Sequence, residues 1–395
     1  MVSAIAPLTS TMALVVLPDI QRQLHVNTAA VGLLIAAYLV ALALVQPLGG
    51  RLGDAWGRGR VLMVGLAIIV AASLLATLAV NYPVLLAARM VQAAGGGLAF
   101  PNAMAALRDR FPAERMGRAL GIVGAVMVAS GGVGVPLAEA LRSLTTWRGV
   151  FLVGALQAGI AALVIYQYGL PRAVARPAHA PITGRVLARS HVIAVGALTL
   201  TNVSMYAFLV AASLALSRHA ASKSGVTAAV LFVFFAGSMI GAPIGGRASD
   251  RLGRWRLSSV GLGALALGVP LALTGPAGLA VAVLGALLAG AGVGTATGAL
   301  QAAALEGIPA LRTGRVAGLI SSGRYVGAAI GSGLAALAGT HVLLGVCASL
   351  ALVSVTAAIA AGLSITADRA ERNRSRRRMR LDAQDFDLSG AHAGL

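Results

Sequence analysis

Charged residues are scarce in this chain: they make up 11% of its 395 residues, less than half of what a water-facing surface carries. A soluble domain is thereby excluded. Aromatic residues are scarce too, 17 in all, and acidic residues number 12. The formal net charge of +19 would suit a nucleic-acid partner only if the basic residues gathered on one exposed face with aromatics among them, and they do not. Lysine is all but missing, Lys223 standing against 30 arginines, and the one cysteine, Cys347, can form no intramolecular disulfide. There is no metal-ligand spacing, no phosphate-cradling loop and no nucleophile beside a base, so neither an enzyme nor a metal or organic cofactor is expected. What is abundant is apolar: 58% hydrophobic residues and 50 glycines make the bilayer the solvent.

Within that apolar background one unit is written twice. GGRLGDAWGRGR, Gly49 to Arg60, returns as GGRASDRLGRWR, Gly245 to Arg256, with seven of twelve positions identical and Pro47 and Pro243 each two residues ahead. PAERMGRALG, Pro112 to Gly121, returns as PALRTGRVAG, Pro309 to Gly318, and the two offsets, 196 and 197 residues, agree. A repeat of half the chain in an apolar sequence marks a secondary transporter whose halves rock about a central site.

A helix crossing about 30 Å of hydrocarbon needs about 20 mostly apolar residues. Twelve stretches qualify: 3–17, 28–50, 61–80, 83–107, 117–141, 149–169, 191–216, 225–246, 257–274, 277–305, 314–338 and 342–365. They divide the chain into an N-terminal six-helix half (1–169), a linker (170–190), a C-terminal six-helix half (191–365) and a basic tail (366–395). The first stretch is short and starts almost at Met1 with no basic run before it. No cleaved signal peptide is therefore expected, and either the N-terminus is incomplete or the first helix barely crosses. With both termini cytoplasmic, the cytoplasmic connections and the tail carry 24 basic residues against five outside, the distribution the positive-inside rule demands. That accounts for the net charge without a nucleic acid. The tail's arginines suit a solvated segment or the anionic headgroups of membrane lipids.

The residues so far reached resemble the major facilitator superfamily, all-α membrane proteins of twelve helices in two pseudo-symmetric halves. The family's signature between helices 2 and 3 is matched by Gly50, Asp54, Gly57, Arg58 and Arg60, and again by Gly246, Asp250, Gly253, Arg254 and Arg256. The resemblance implies a loop that latches the halves together when the cavity faces outward. It also implies a monomer in the plasma (inner) membrane. AARMVQAAGGG (Ala87 to Gly97), WRGVF (Trp147 to Phe151) and GRYVGAAIG (Gly323 to Gly331) are similar to the drug:proton antiporter branch, and place Arg89 and Gln92 one turn apart on one helix face. Two segments depart from that branch. GGVGVPLAEA keeps Gly131 and Pro136 but carries Val135, Glu139 and Ala140 where glycines are expected, and TSTMALVVLP, Thr9 to Pro18, lacks an embedded aspartate near Thr9.

Comparing the halves separates shared scaffold from specialisation. Arg89 aligns with Gly285, Glu139 with Ala335 or Ala336, and Arg324 with Met127, so all three charges break the symmetry. Charges at bilayer depth are costly and face a cavity or a partner. Arg324 lies nine residues beyond the cytoplasmic Arg315, about 13 to 14 Å in, the deepest of the three. Arg89 and Glu139 are expected on the outer side of the N-terminal half, one electrostatic unit able to couple protons, though Arg89 also fits an anchor bonded to backbone carbonyls, Glu139 an interfacial carboxylate reaching water, and Arg324 a brace between helices. Since the family's cavity is lined by helices 1, 4, 7 and 10 with help from helix 2, the cavity candidates are Thr9, Ser10, Tyr38, Gln46, Gln92, Asn102, Asn202, Tyr206 and Gln301, with Arg324 beside them. Each is equally able to make an interhelical hydrogen bond.

The leading expectation is a proton-driven exporter of small, lipophilic, neutral or anionic compounds. Uptake or exchange of a sugar or organic anion keeps the same fold. A membrane sensor that does not transport leaves the doubled cytoplasmic signature unexplained.

Overall fold

The computed structural model describes residues 1–110, 113–169, 189–219, 226–273, 278–305 and 310–337. Among these residues the chain is all helix: α1 Val2–Gln23, α2 Thr28–Trp56, α3 Arg58–Thr77, α4 Tyr82–Arg110, α5 Ala113–Leu144, α6 Arg148–Tyr168, α7 Arg189–His219, α8 Val226–Leu252, α9 Arg254–Leu273, α10 Leu279–Leu305 and α11 Ala310–Leu337. Ten of them have described stretches long and apolar enough to cross a membrane. The twelfth stretch, 342–365, the tail and most of the linker lie outside the described residues.

Several boundaries differ from those read in the sequence. α1 runs 22 residues, about 33 Å, and so is long enough to cross. α7 begins at Arg189, inside the expected linker. The supposed loop at Gly50 to Arg60 is nearly all helix, because α2 continues to Trp56 and α3 starts at Arg58. Only Gly57 breaks the backbone, at φ 94, and Gly253 repeats this at φ 86. A left-handed residue suffices to end one helix and start another, and glycine adopts that conformation without a Cβ clash. Gly50 and Asp54 accordingly sit on the last turns of α2.

The repeat in the sequence is a repeat in the packing. α2 and α3 lie on α4 and α1 lies on α5, while α8 and α9 lie on α10 and α7 lies on α11. The same kind of backbone contact recurs in both halves. A Cβ on Gly49 would fall 2.4 Å from the Gly97 carbonyl oxygen, and one on Gly245 would fall 2.2 Å from that of Thr295. Both glycines let two helix backbones touch. Between halves, α2 meets α11 and α5 meets α8, two seams that the same pseudo-two-fold exchanges.

The core shows how the halves meet. One buried cluster draws Met12 and Leu17 of α1, Leu34 of α2, Phe208 of α7, Phe234 of α8 and Ala328 of α11 into a single body. These residues lie away from the end that carries Gly57 and Gly253. Toward that end the core divides, with Leu62, Leu66, Ala99 and Ala158 in the N-terminal half and Ala194, Leu198, Leu300 and Ile320 in the C-terminal half. The halves are therefore joined at the far end and separate at the basic end.

Candidate transport site

A cavity lies where α1, α2 and α4 approach α11. Its wall includes Thr9, Tyr38, Gln46, Gln92 and Tyr325, among Ile5, Leu42, Ile69 and Phe100. It holds about 20 Å³, room for one water-sized occupant. Four of the expected cavity residues, on three different helices, are thus brought together. Tyr325 has no sequence signal of its own beyond following the conspicuous Arg324.

Arg89 sits directly behind this wall and is 0% exposed. Its Nη1 donates to Gln92 Oε1 at 2.5 Å, and Gln92 Nε2 donates in turn to Ser73 Oγ at 2.7 Å. The one-turn spacing of Arg89 and Gln92 on α4 makes the first bond. Ser73, from α3, has no sequence signal that could have singled it out. The guanidinium lies 4.1 Å from the Tyr38 ring centre and 5.6 Å from that of Phe151, a cation–π arrangement that tolerates a buried charge without cancelling it. Its Nε and Nη2 have no partner among the described residues.

The expected unit of Arg89 and Glu139 is not present. Glu139 accepts hydrogen bonds from Arg142 at 2.9 and 3.1 Å, and Arg142 also reaches Asp19 on α1 at 3.5 Å. Spacing explains the outcome, since Arg142 lies three residues on, within one turn of the same helix. Glu139 lines a separate, open recess of about 340 Å³ between α5 and α8, with Pro136, Ser143 and Phe232. Asp19 was overlooked because it lies past the apolar stretch of helix 1.

Other candidates are occupied with structure. Asn102 donates from Nδ2 to the Gly49 and Leu98 carbonyl oxygens, both at 2.8 Å, fastening α4 to α2. Asn202 donates to Leu198 on its own helix at 2.9 Å. Ser10 is buried on α1, Tyr206 packs against the joined core, and Gln301 is half-buried on α10. Arg324 is half-buried on α11, within electrostatic reach of Tyr206 and beside Tyr325.

At the basic end, Arg58 pairs with Asp109 of α4, donates to the Ala105 carbonyl oxygen at 3.4 Å and lies 3.6 Å from Asp54. Arg254 donates to the Ala302 carbonyl oxygen at 3.2 Å, the equivalent contact of the second half. The Arg58 contacts to Asp54, Ala105 and Asp109 and the Arg254 contact to Ala302 each stay within one half. Arg60 is exposed, a Cβ on Gly50 would meet open space, and the Asp250 side chain is outside the described set. Asp109 could have been found in the sequence, because Glu306 occupies its place in the repeat.

The family model described as Major Facilitator Superfamily matches residues 1–332. Among curated relatives, the uncharacterized MFS-type transporter EfpA of Mycobacterium tuberculosis is 37% identical over 150 residues, 38% of this chain and 28% of that protein. The tetracenomycin C resistance and export protein of Streptomyces glaucescens is 32% identical over 157 residues, covering 40% and 29%. The methylenomycin A resistance protein of Bacillus subtilis is 28% identical over 183 residues, covering 46% and 39%. Each match thus spans well under half of the relative's length. Among solved structures, a bacterial homolog to the human lysosomal transporter Spinster, inward-facing and unoccupied, superposes with a TM-score of 0.73 at 16% identity, covering 91% of this chain and 94% of that one.

Proposed function

Since the chain belongs to the Major Facilitator Superfamily, we propose that it is a secondary active exporter that moves small lipophilic compounds, neutral or anionic, against their gradient by alternating access. The cavity at the meeting of the halves carries this reading: aromatic and aliphatic side chains form its wall, and Thr9, Gln46 and Gln92 supply a few neutral polar groups. Such a lining holds an apolar compound and orients it through sparse hydrogen bonds. The joined core at one end and the divided core at the other suit a cycle in which the cavity opens first toward the basic end.

The proton gradient drives the cycle in this reading. Glu139 and Asp19, held through Arg142, are the carboxylates we assign to coupling, with Arg89 acting separately behind the cavity. The protein works as a monomer in the plasma membrane, both termini and the Gly57 and Gly253 turns on the cytoplasmic side. Two relatives, one named for tetracenomycin C resistance and export and one for methylenomycin A resistance, support export.

The test is accumulation of chemically diverse lipophilic compounds by inverted membrane vesicles, with and without an imposed proton gradient. Gradient-dependent accumulation is expected. Accumulation only in right-side-out vesicles favours the second reading, uptake or exchange of a sugar or organic anion, for which the buried cation Arg89 is the supporting observation.

A further inference from the structure

Among the twelve apolar stretches the sequence places one carboxylate, Glu139, and that carboxylate is held by Arg142. Arg89 therefore stands as a fully buried guanidinium with no acidic neighbour within ion-pair distance among the described residues. Its contacts are an amide oxygen and two ring faces. Guanidinium carries five donors in a planar fork, and two of its nitrogens here, Nε and Nη2, have no hydrogen-bond partner among the described residues. A buried cation left in this condition is costly, so a protein that keeps one gains something from its free donors. On the other half, Arg324 likewise has no described carboxylate partner and adjoins Tyr325, itself part of the cavity wall.

We propose that Arg89, assisted by Arg324, recognises a single carboxylate group on the transported compound, which makes the substrate class anionic amphiphiles rather than neutral ones. Resting on the export reading above, the proposal narrows its substrate class. Tyr38 and Gln92 both touch Arg89 and both line the cavity, so the guanidinium lies one side chain from the space a compound enters. At about 20 Å³ the cavity is too small for such a ligand in this arrangement. As it widens, the Tyr38 ring moves off the guanidinium and the fork accepts a bidentate carboxylate. A neutral compound of the same shape leaves the fork unsatisfied, and a cation is repelled by two arginines.

The experiment uses the purified full chain in lipid nanodiscs and a matched probe pair, 2-naphthoate and 2-naphthamide, with affinity read by titration. The wild type is expected to prefer the naphthoate by about tenfold or more, the scale of a desolvated charge-assisted hydrogen bond. In Arg89→Gln that preference, read as the ratio of the two affinities, falls to near parity. Arg89→Lys keeps the charge but loses the fork, so it retains only part of the preference; it serves where the glutamine variant does not fold. Arg324→Gln lowers the preference less. Equal affinity of the wild type for the two probes overturns the proposal, as does an undiminished preference in Arg89→Gln and Arg89→Lys. Vesicle transport of 2-naphthoate is measured alongside: intact preference without transport overturns the export reading and leaves the carboxylate site standing, whereas export without preference overturns this proposal alone.

Discussion

The Ser213 hydroxyl donates a hydrogen bond of 2.6 Å to the Leu14 carbonyl oxygen. The two residues are 199 positions apart, on α1 and α7, and the bond ties the halves at the end where their cores are joined. Both residues are fully buried, with Phe208 and Met12 nearby in the same core. In the alternating-access cycle proposed above, opening the far end breaks this bond.

Ser213→Ala should therefore shift the protein toward a far-end-open state. An interhelical hydrogen bond in a membrane is worth about 0.6 to 1.7 kcal/mol, so the open fraction should rise about three- to eighteenfold. Spin labels at Leu24 and Val226, on opposite halves at that end, should then report more long distances. An unchanged distance distribution would show that apolar packing alone holds the closure.

Adjacent glycines should behave oppositely. A Cβ on Gly49 meets the Gly97 carbonyl oxygen at 2.4 Å, whereas one on Gly50 meets nothing within 4 Å. Gly49→Ala should lower the melting temperature by several degrees, since α2 must move off α4. Gly50→Ala should leave it unchanged. If Gly50→Ala nonetheless impairs transport, its role lies in the gating cycle and not in the resting fold.

At the basic end, Asp109 should matter more than Asp54. Arg58 pairs closely with Asp109, whose side chain is 7% exposed, while Asp54 is 75% exposed and 3.6 Å away. Exposed pairs contribute about 0 to 1 kcal/mol, whereas breaking a pair whose carboxylate is largely buried costs more. Asp109→Asn should thus destabilise the protein measurably in thermal unfolding and Asp54→Asn should not. A transport defect in Asp54→Asn without loss of stability would assign that carboxylate to the moving latch.

A double-mutant cycle separates the two charged groups of the N-terminal half. Glu139→Gln and Arg142→Gln should be non-additive in stability, because each breaks the same pair. Glu139→Gln and Arg89→Ala should be additive within about 0.5 kcal/mol, since they share no partner. For coupling, Glu139→Gln should abolish proton-gradient dependence while compound binding persists. Normal gradient dependence in that variant removes Glu139 from the proton path.

Composition and repetition determined much of this protein on their own. Scarce charge required a bilayer, the doubled glycine and arginine pattern required two like halves, and the offsets of 196 and 197 residues foretold that Gly49 and Gly245, or Arg58 and Arg254, do the same work. The spacing of Arg89 and Gln92 also sufficed, since residues one helical turn apart meet whatever surrounds them. Partners far apart in sequence were decided by tertiary packing. The sequence could place Arg89 and Glu139 at similar depth but not their azimuth around α4 and α5, so it did not show that Glu139 turns to Arg142 and Asp19. Nor could it show that Asn102 is used up in fastening α4 to α2, or that Tyr38 and Phe151 cover the buried guanidinium. Helix depth follows from counting residues at 1.5 Å each, whereas facing is set by which neighbouring helices fill the remaining space.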